Sequence, residues 1–344
     1  FNDNKIPNSY SNYPSKQEVL SYLKTIVNEY NILEKTLFNY SVESVKYDSK
    51  NLCWVINDKI ETKFVGICSG YLTIPKTNIC SKELKNFQGQ IYHTKDFNKI
   101  NIKNLQNKNL LIIGNGASAC DVLNNLDKSN IKCNLTMIYK SDKYFIEKYI
   151  GKIPIGNFLN RFLLNFGKYA PLCLYRFIII CINYFYFNNY LPIPESKMNS
   201  KNLIASTIIC QKVNSNNLVY IKDTIKDSYK NNVVLSDQVL RNIDTIILAT
   251  GYITQFSFLE IQPNEKKYLQ IFDKNLKNCA FIGFSPSYNW SKVSEKQSKL
   301  FVDYILGKFM VDDYSFEKYR VKHEKSQKIN NLPFNDLTYE LYNY

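Results

Sequence analysis

The sequence predicts an α/β fold, and three observations carry that reading. Leu110-Leu-Ile-Ile113, four consecutive apolar β-formers, runs straight into Gly114-Asn-Gly116-Ala-Ser-Ala119. A helical stretch follows over Ser118 to Leu126 and a second strand over Asn134 to Tyr139, completing a βαβ unit of about 30 residues. Short β-like runs then lie on both sides of this unit. In a chain of 344 residues, 45% apolar and 22% charged, there is enough hydrophobic material for a sizeable core, and wholesale disorder is excluded.

The elements follow in order. Ser15-Lys-Gln-Glu18 is a capping box, and Val19, Leu20, Leu23, Ile26 and Val27 give the helix after it an apolar stripe that ends near Tyr30. Strands are expected at Ser41 to Tyr47, Leu52 to Ile56 and Ile60 to Cys68, the last two separated by the turn signal Asn57-Asp58. Beyond the βαβ unit, Gly151 to Pro194 is a succession of aromatic-aliphatic runs, with Phe177 to Phe187 the most apolar. Arg176 and Asn183 keep that stretch short of the ~20 apolar residues of a spanning helix. It reads as a buried helix pair, or as peripheral membrane contact through residues 171–191. Strands return at Leu218 to Ile221, Asn232 to Leu235, Asp244 to Ala249 and Cys279 to Phe284, and a last helix is expected to start near Ser294.

Composition narrows the function classes. The net charge is +14, yet the lysines are scattered singly among Asn, Ile and Tyr, without the dense basic run that tracks a nucleic-acid backbone, so no nucleic-acid partner is expected. The pattern looks like drift toward Lys and Asn codons. Nine cysteines lack any CxxC spacing and only two histidines are present, so no metal site is expected. Buried free thiols fit a reducing compartment, which makes the expected location cytoplasmic. Glycine is scarce, at 11 residues, so each glycine cluster carries information.

Gly114-x-Gly116-x-x-Ala119 is the first such cluster. After a strand and before a helix, Gly114 permits a tight turn and Gly116 lets the backbone approach a pyrophosphate lying on the helix N-terminus. Ala119 is small enough for the helix to pack on the strand, and Ser118 stands in the first helical turn. The second strand ends in Tyr139-Lys140-Ser141, with no acidic residue at the strand end for ribose hydroxyls. A cation there suits a 2′-phosphate, so the expected nucleotide is NADPH.

Phe87-x-Gly89-x-x-x-His93-x-x-x-Phe97 lies just upstream, and it resembles the fingerprint of the flavin-containing monooxygenases. The resemblance extends over Gly66-Ile-Cys-Ser-Gly70-Tyr-x-x-x-Pro75, over Asp244-Thr-Ile-Ile-Leu-Ala-Thr250-Gly251-Tyr252 with Phe256-x-Phe258-Leu259, and over Phe281-Ile-Gly283-Phe284 with Glu295-Lys-Gln297. Even Phe1-x-Asp3 through Tyr13 is similar to the loop after the family's first βαβ unit. The resemblance implies two nested dinucleotide-binding domains, Rossmann-like, of the two-dinucleotide-binding flavoprotein type. Residues 1–105 and 226–344 would form an FAD domain and residues 106–225 an inserted NADPH domain. It adds Gly70, Thr250, Gly251, Gly283 and Gln297 to Gly114, Gly116, Ser118, Ala119 and Lys140 as cofactor-binding residues. His93 is implied to be structural, and no catalytic residue is assigned.

The implied activity is that of an FAD- and NADPH-dependent monooxygenase. Such an enzyme uses O₂ to oxidise small-molecule nitrogen or sulfur nucleophiles through a flavin hydroperoxide. Three other readings stay open. Baeyer–Villiger relatives end the fingerprint in Trp, whereas Phe97-Asn98 stands here. A degenerate or truncated homologue without activity is the second, because the family's first glycine-rich loop and the Asn supporting the flavin are expected upstream of Phe1. Residues 1–344 alone are therefore expected to hold little FAD. An NADPH-dependent flavin reductase of the disulfide-reductase superfamily ranks last, since CxxC is lacking. Lys140 occupies a place where the family usually has Arg, keeping the charge and losing the bidentate fork.

Overall fold

A computed structural model describes residues 5–155, 203–264, 267–284, 290–313 and 315–317, together with positions 173, 174, 177, 181, 184 and 194. Phe1, Asp3, His323 and most of the 171–191 stretch lie outside the described residues. The chain divides into two units, a discontinuous one made chiefly of Phe1–Gly70 and Phe256–Ile329, and an inserted one made chiefly of Tyr71–Gln255. The borders expected at 105/106 and 225/226 both fall inside the inserted unit, because the strands beyond them join its sheet.

In the discontinuous unit, helix α1 spans Lys16–Glu29 and opens with the expected capping box. The Glu18 N–H donates to Ser15 Oγ at 3.2 Å, and the Ser15 N–H donates to Glu18 Oε2 at 2.6 Å. The apolar stripe is present but only partly covered: Ile26 and Val27 are half-buried, and none of the helix's residues is buried. Strands β1 (Val45–Asp48), β2 (Cys53–Ile56) and β3 (Ile60–Thr62) form an antiparallel meander. Asn57 and Asp58 both adopt positive φ, and the Lys59 N–H closes on the Ile56 carbonyl, which is a type I′ turn matched to strand twist. Trp54, 1% exposed, anchors the meander by donating its indole N–H to the Lys277 carbonyl at 3.0 Å. The run expected as one strand over Ile60 to Cys68 is two. β3 pairs with β2, and β4 (Val65–Ile67) leaves for a different, parallel partner.

The inserted unit begins with β5 (Ile74–Pro75) and β6 (Gln90–His93). The βαβ unit follows as β7 (Asn109–Ile113), α2 (Ala117–Lys128) and β8 (Asn134–Tyr139), and then come α3 (Ile208–Asn214) and β9 (Val219–Lys222). A small meander, β10 (Asp227–Tyr229), β11 (Asn232–Val234) and β12 (Val239–Leu240), leads to β13 (Thr245–Leu248) and β14 (Tyr252–Ile253). The main sheet has the order β9-β8-β7-β13-β6, every pair parallel. Parallel sheets bury both faces, which is why β7 reads as an unbroken apolar run. Leu110 and Ile112 pack with Leu123, Leu126, Met137 and Ile209 on the helical side, while Leu111 and Ile113 pack with Val233, Leu235 and Ile246 under the meander. Leu110, Leu111 and Ile112 are all fully buried, each contributing about 1.5–3 kcal/mol of hydrophobic stabilisation.

Back in the discontinuous unit, β15 (Cys279–Phe281) pairs in parallel with β4, and α4 (Trp290–Ile305) starts earlier than the expected Ser294. Left-handed backbone positions are filled mostly by asparagine. Eight of the thirteen non-glycine residues with positive φ among the described residues are Asn, including Asn31, Asn107 and Asn242. The cysteines are free, as expected, but Cys68 and Cys173 are exposed, so burial is not general. Burial pushes the thiols of Cys120, Cys210 and Cys279 up to about 12. Among the described residues no helix is long and apolar enough to cross a membrane.

The glycine of the Phe87–Phe97 fingerprint has a steric cause. A Cβ on Gly89 would stand 2.6 Å from the Asp244 carbonyl oxygen and 2.6 Å from the Phe87 ring. The first of these is backbone in the adjoining strand and cannot give way cheaply. Gly89→Ala is expected to cost about 1–3 kcal/mol, as overpacking does, read as a fall in the denaturation midpoint in urea; an unchanged midpoint would show that β6 and β13 are free to separate.

Candidate functional site

The carboxyl ends of β7 and β8 build the first part of the site. Gly114 takes φ +106, and a Cβ there would meet the Ala249 carbonyl oxygen at 2.5 Å, so only glycine fits between β7 and the turn after β13. Gly116 is the N-cap of α2 and differs in kind. Its φ of −82 is ordinary, and a Cβ built there meets nothing within 4 Å. No side chain caps α2, and no acidic residue sits in its first turn. The first N–H groups of a three-turn helix therefore have no side-chain cap and carry the positive end of the macrodipole. Ser118 is half-buried in that first turn, and Ala119, fully buried, packs on the sheet as expected.

Lys140 is exposed immediately after β8. The expectation of no acidic residue holds for the strand end itself, but Asp142 follows two residues later and is paired with Lys222 at 2.6 Å. Asn115, between the two glycines and 5% exposed, donates through Nδ2 to the Ser141 carbonyl at 3.1 Å and to the Tyr220 hydroxyl at 2.8 Å. Tyr220 stacks on Tyr139 with ring centroids 4.1 Å apart. Neither Asn115, Tyr220 nor the Asp142–Lys222 pair is singled out by sequence motifs.

The turn after β13 forms a second cluster in the same unit. Gly251 has φ +80, with nothing within 4 Å of a Cβ position. Its carbonyl accepts from the Lys76 N–H at 2.9 Å and lies 3.2 Å from His93 Nε2. Because His93 Nδ1 accepts the Lys95 N–H at 3.1 Å, the ring proton sits on Nε2 and is donated to Gly251. Thr250 spends its hydroxyl on the Lys76 carbonyl at 2.6 Å, which holds the turn rather than leaving the hydroxyl free for a ligand. His93 is thus a buried brace.

The remaining predicted residues lie in the discontinuous unit. Gly70 (φ +79) and Gly283 (φ +81) follow the parallel strands β4 and β15, so both stand at carboxyl ends, where open α/β sheets bind ligands. Nothing lies within 4 Å of a Cβ on Gly70. The Gly283 N–H donates to Gln297 Oε1 at 2.9 Å, and Gln297, fully buried on α4, acts from behind the loop. No group of three or more metal-ligating side chains occurs among the described residues. A cavity of about 680 Å³ runs along the free edge of β6, lined by Thr77, Ser81, Tyr92, His93, Asp96 and Lys99 among others, and none of the ten predicted cofactor residues lines it.

Comparison with known proteins adds the family. The family model described as flavin-binding monooxygenase-like matches residues 1–329. Flavin-containing monooxygenase 1 of Sus scrofa is 26% identical over 276 residues, covering 76% of this chain and 51% of that protein. The chain thus spans about half the length of the curated relatives it matches. Among solved structures, an open form of cyclohexanone monooxygenase has a TM-score of 0.69 at 16% identity, covering 92% of this chain and 79% of that one. OTEMO in complex with FAD and NADP has a TM-score of 0.66 at 12% identity, covering 92% and 76%. At these identities the structures establish the two-dinucleotide-binding fold.

The His93 brace generates a pH dependence. Burial pushes its pKa below the ordinary 6.5, partly offset by the hydrogen bond to Gly251. The unfolded chain then binds the proton more readily, so this contribution to stability is complete above pH 6.5 and is lost as pH falls through the folded value. Protonation would also set an N–H on Nδ1 against the Lys95 N–H. Unfolding titrations of the wild type and His93→Gln between pH 7 and 5 should show a shallower decline in the variant; identical slopes would mean that His93 titrates as it does in the unfolded chain.

Proposed function

Because the chain belongs to the flavin-binding monooxygenase-like family, we propose that it is part of an FAD- and NADPH-dependent monooxygenase acting on small nitrogen or sulfur nucleophiles. The observation that carries the nucleotide half of this reading is the uncapped N-terminus of α2, fronted by open space at Gly116 and flanked by Lys140. A pyrophosphate fits there because it satisfies N–H groups that no side chain reaches, and Gly116 keeps the approach clear. Lys140 would take the 2′-phosphate. The inserted unit is accordingly read as the NADPH domain and the discontinuous unit as the FAD domain.

In the discontinuous unit, Gly70 and Gly283 would let a second dinucleotide lie close to the backbone at the ends of β4 and β15. Gln297 holds the Gly283 N–H and with it the shape of that loop. When bound, NADPH supplies hydride and FAD supplies the activation of O₂ from which one oxygen atom is transferred. The residues of this chain bind and orient, and none of those described is placed as an acid, base or nucleophile. Phe97 and Asn98, where Baeyer–Villiger relatives carry Trp and a different neighbour, favour soft nucleophiles over ketones.

Two variants separate the parts of this reading. Lys140→Ala should weaken NADPH by about 1.5–3 kcal/mol, as loss of a charge-assisted contact does, and leave NADH nearly unchanged in fluorescence titrations. Equal losses would move the 2′-phosphate elsewhere. Gly116→Val should abolish binding of both nucleotides while the protein stays folded by circular dichroism, since no protein atom occupies the space its side chain would fill. Oxygen uptake by the full-length protein with NADPH and a tertiary amine or thioether tests the activity, and turnover of neither class of nucleophile would overturn the substrate assignment.

A further inference from the structure

Two features of the β8 end concern charge rather than shape, and both depend on residues that the glycine and lysine motifs leave unspecified. The first is Asn115. Its amide donates to the Ser141 carbonyl from a position 26 residues away and to the Tyr220 hydroxyl from 105 residues away, so one side chain ties the turn after β7 to the backbone after β8 and to β9. No cis peptide occurs among the described residues, and in a trans peptide the carbonyl and the following N–H point in opposite directions. With the Ser141 oxygen held by Asn115, the Asp142 N–H points away from Asn115. The second feature is the 2.6 Å pair between Asp142 and Lys222, which neutralises the one carboxylate in this stretch.

We infer that Asn115 is a positioning residue for nucleotide choice: by holding the Ser141–Asp142 peptide plane with its oxygen inward, it gives the loop after β8 a face that accepts a phosphate dianion on a ribose 2′-oxygen. Without that hold the plane is free to turn its carbonyl outward, and a carbonyl dipole facing the dianion repels it. Lys140 alone does not fix the outcome, because its flexible four-carbon stem brings charge without setting the backbone behind it. The stacked Tyr139 and Tyr220 rings hold the other side of Lys140, so the residue is clamped between Asn115's contact on Ser141 and the stack at Tyr139. This inference rests on the reading that the α2 N-terminus and Lys140 receive NADPH.

The test uses two probes that lack nicotinamide and differ only in the 2′-phosphate, 2′,5′-ADP and 5′-AMP, titrated calorimetrically into the whole protein. The wild type should prefer 2′,5′-ADP. Asn115→Ala should lower that preference about tenfold while 5′-AMP affinity changes less than twofold. Asn115→Asp, similar in size and unable to donate to Ser141, should lower it further. In the Asn115→Ala/Lys140→Ala double variant the losses should be less than additive, because Lys140 needs the clamped backbone. If Asn115→Ala does not fold, Tyr220→Phe, which removes one of the two anchors, should lower the preference two- to threefold. Equal losses for the two probes, or an unchanged preference in Asn115 variants that fold, would overturn the inference. If Lys140→Ala removes the preference and the Asn115 variants keep it, only the role of Asn115 falls. A wild type that does not distinguish the probes would overturn the NADPH reading and this inference together.

Discussion

The inserted unit depends on one strand being in the right place. β13 lies between β7 and β6, parallel to both, and it reaches that position from more than a hundred residues further along the chain. Parallel neighbours cannot be joined by a tight turn, so the register has to be set at the strand ends. Asp244 sets the start. Its carboxylate accepts the Asn109 N–H at 2.8 Å, its own N–H donates to the Asn109 carbonyl at 3.0 Å, and its carbonyl accepts the Gln90 N–H at 3.1 Å. One residue thus aligns three strands. The far end is set by Gly251, whose carbonyl takes both Lys76 and His93. Between these two pins, Ala249 is held against Gly114, and the turn that opens α2 is shaped by that contact.

The site inherits its geometry from this arrangement. The close approach at Gly114 concerns the protein's own backbone, whereas at Gly116 nothing lies within 4 Å of a Cβ. Two glycines two residues apart therefore differ, one with an internal cause and one facing open space. The fingerprint around Gly89 and His93 belongs to the internal kind: Phe87 and Phe97 fill the two cores, Gly89 clears the Asp244 carbonyl, and His93 braces the Gly251 turn. Its residues are structural supports for the sheet and for the turn after β13.

Local signals in the sequence were reliable wherever the cause was local. The capping box at Ser15, the left-handed pair Asn57-Asp58 and the extent of β8 over Asn134–Tyr139 all follow from residues that touch their neighbours in sequence. Periodicity identifies an apolar stripe but not what covers it, and so α1 is amphipathic as read and yet has no fully buried residue. Likewise, Ile60 to Cys68 reads as one extended run because alternation reports backbone conformation and is silent about partners; β3 and β4 pair with strands at opposite ends of the sequence. Asn115 escaped notice for the same reason. It occupies the variable position of a glycine motif, and the carbonyl and hydroxyl that give it meaning belong to distant segments.

The asparagines at left-handed positions bear on how the remaining glycines are to be understood. Asparagine serves at Asn31, Asn107, Asn242 and other sites with φ between +49 and +59, the left-handed region that its short polar side chain tolerates. Gly307 stays glycine at the C-terminal end of α4, where a helix stop favours it. Gly70 and Gly251 have φ near +80, a conformation that L side chains rarely adopt, so a substitution there is strained even though nothing lies within 4 Å of a Cβ. At these two turns the demand for glycine comes from the backbone conformation itself, before any demand from a bound molecule.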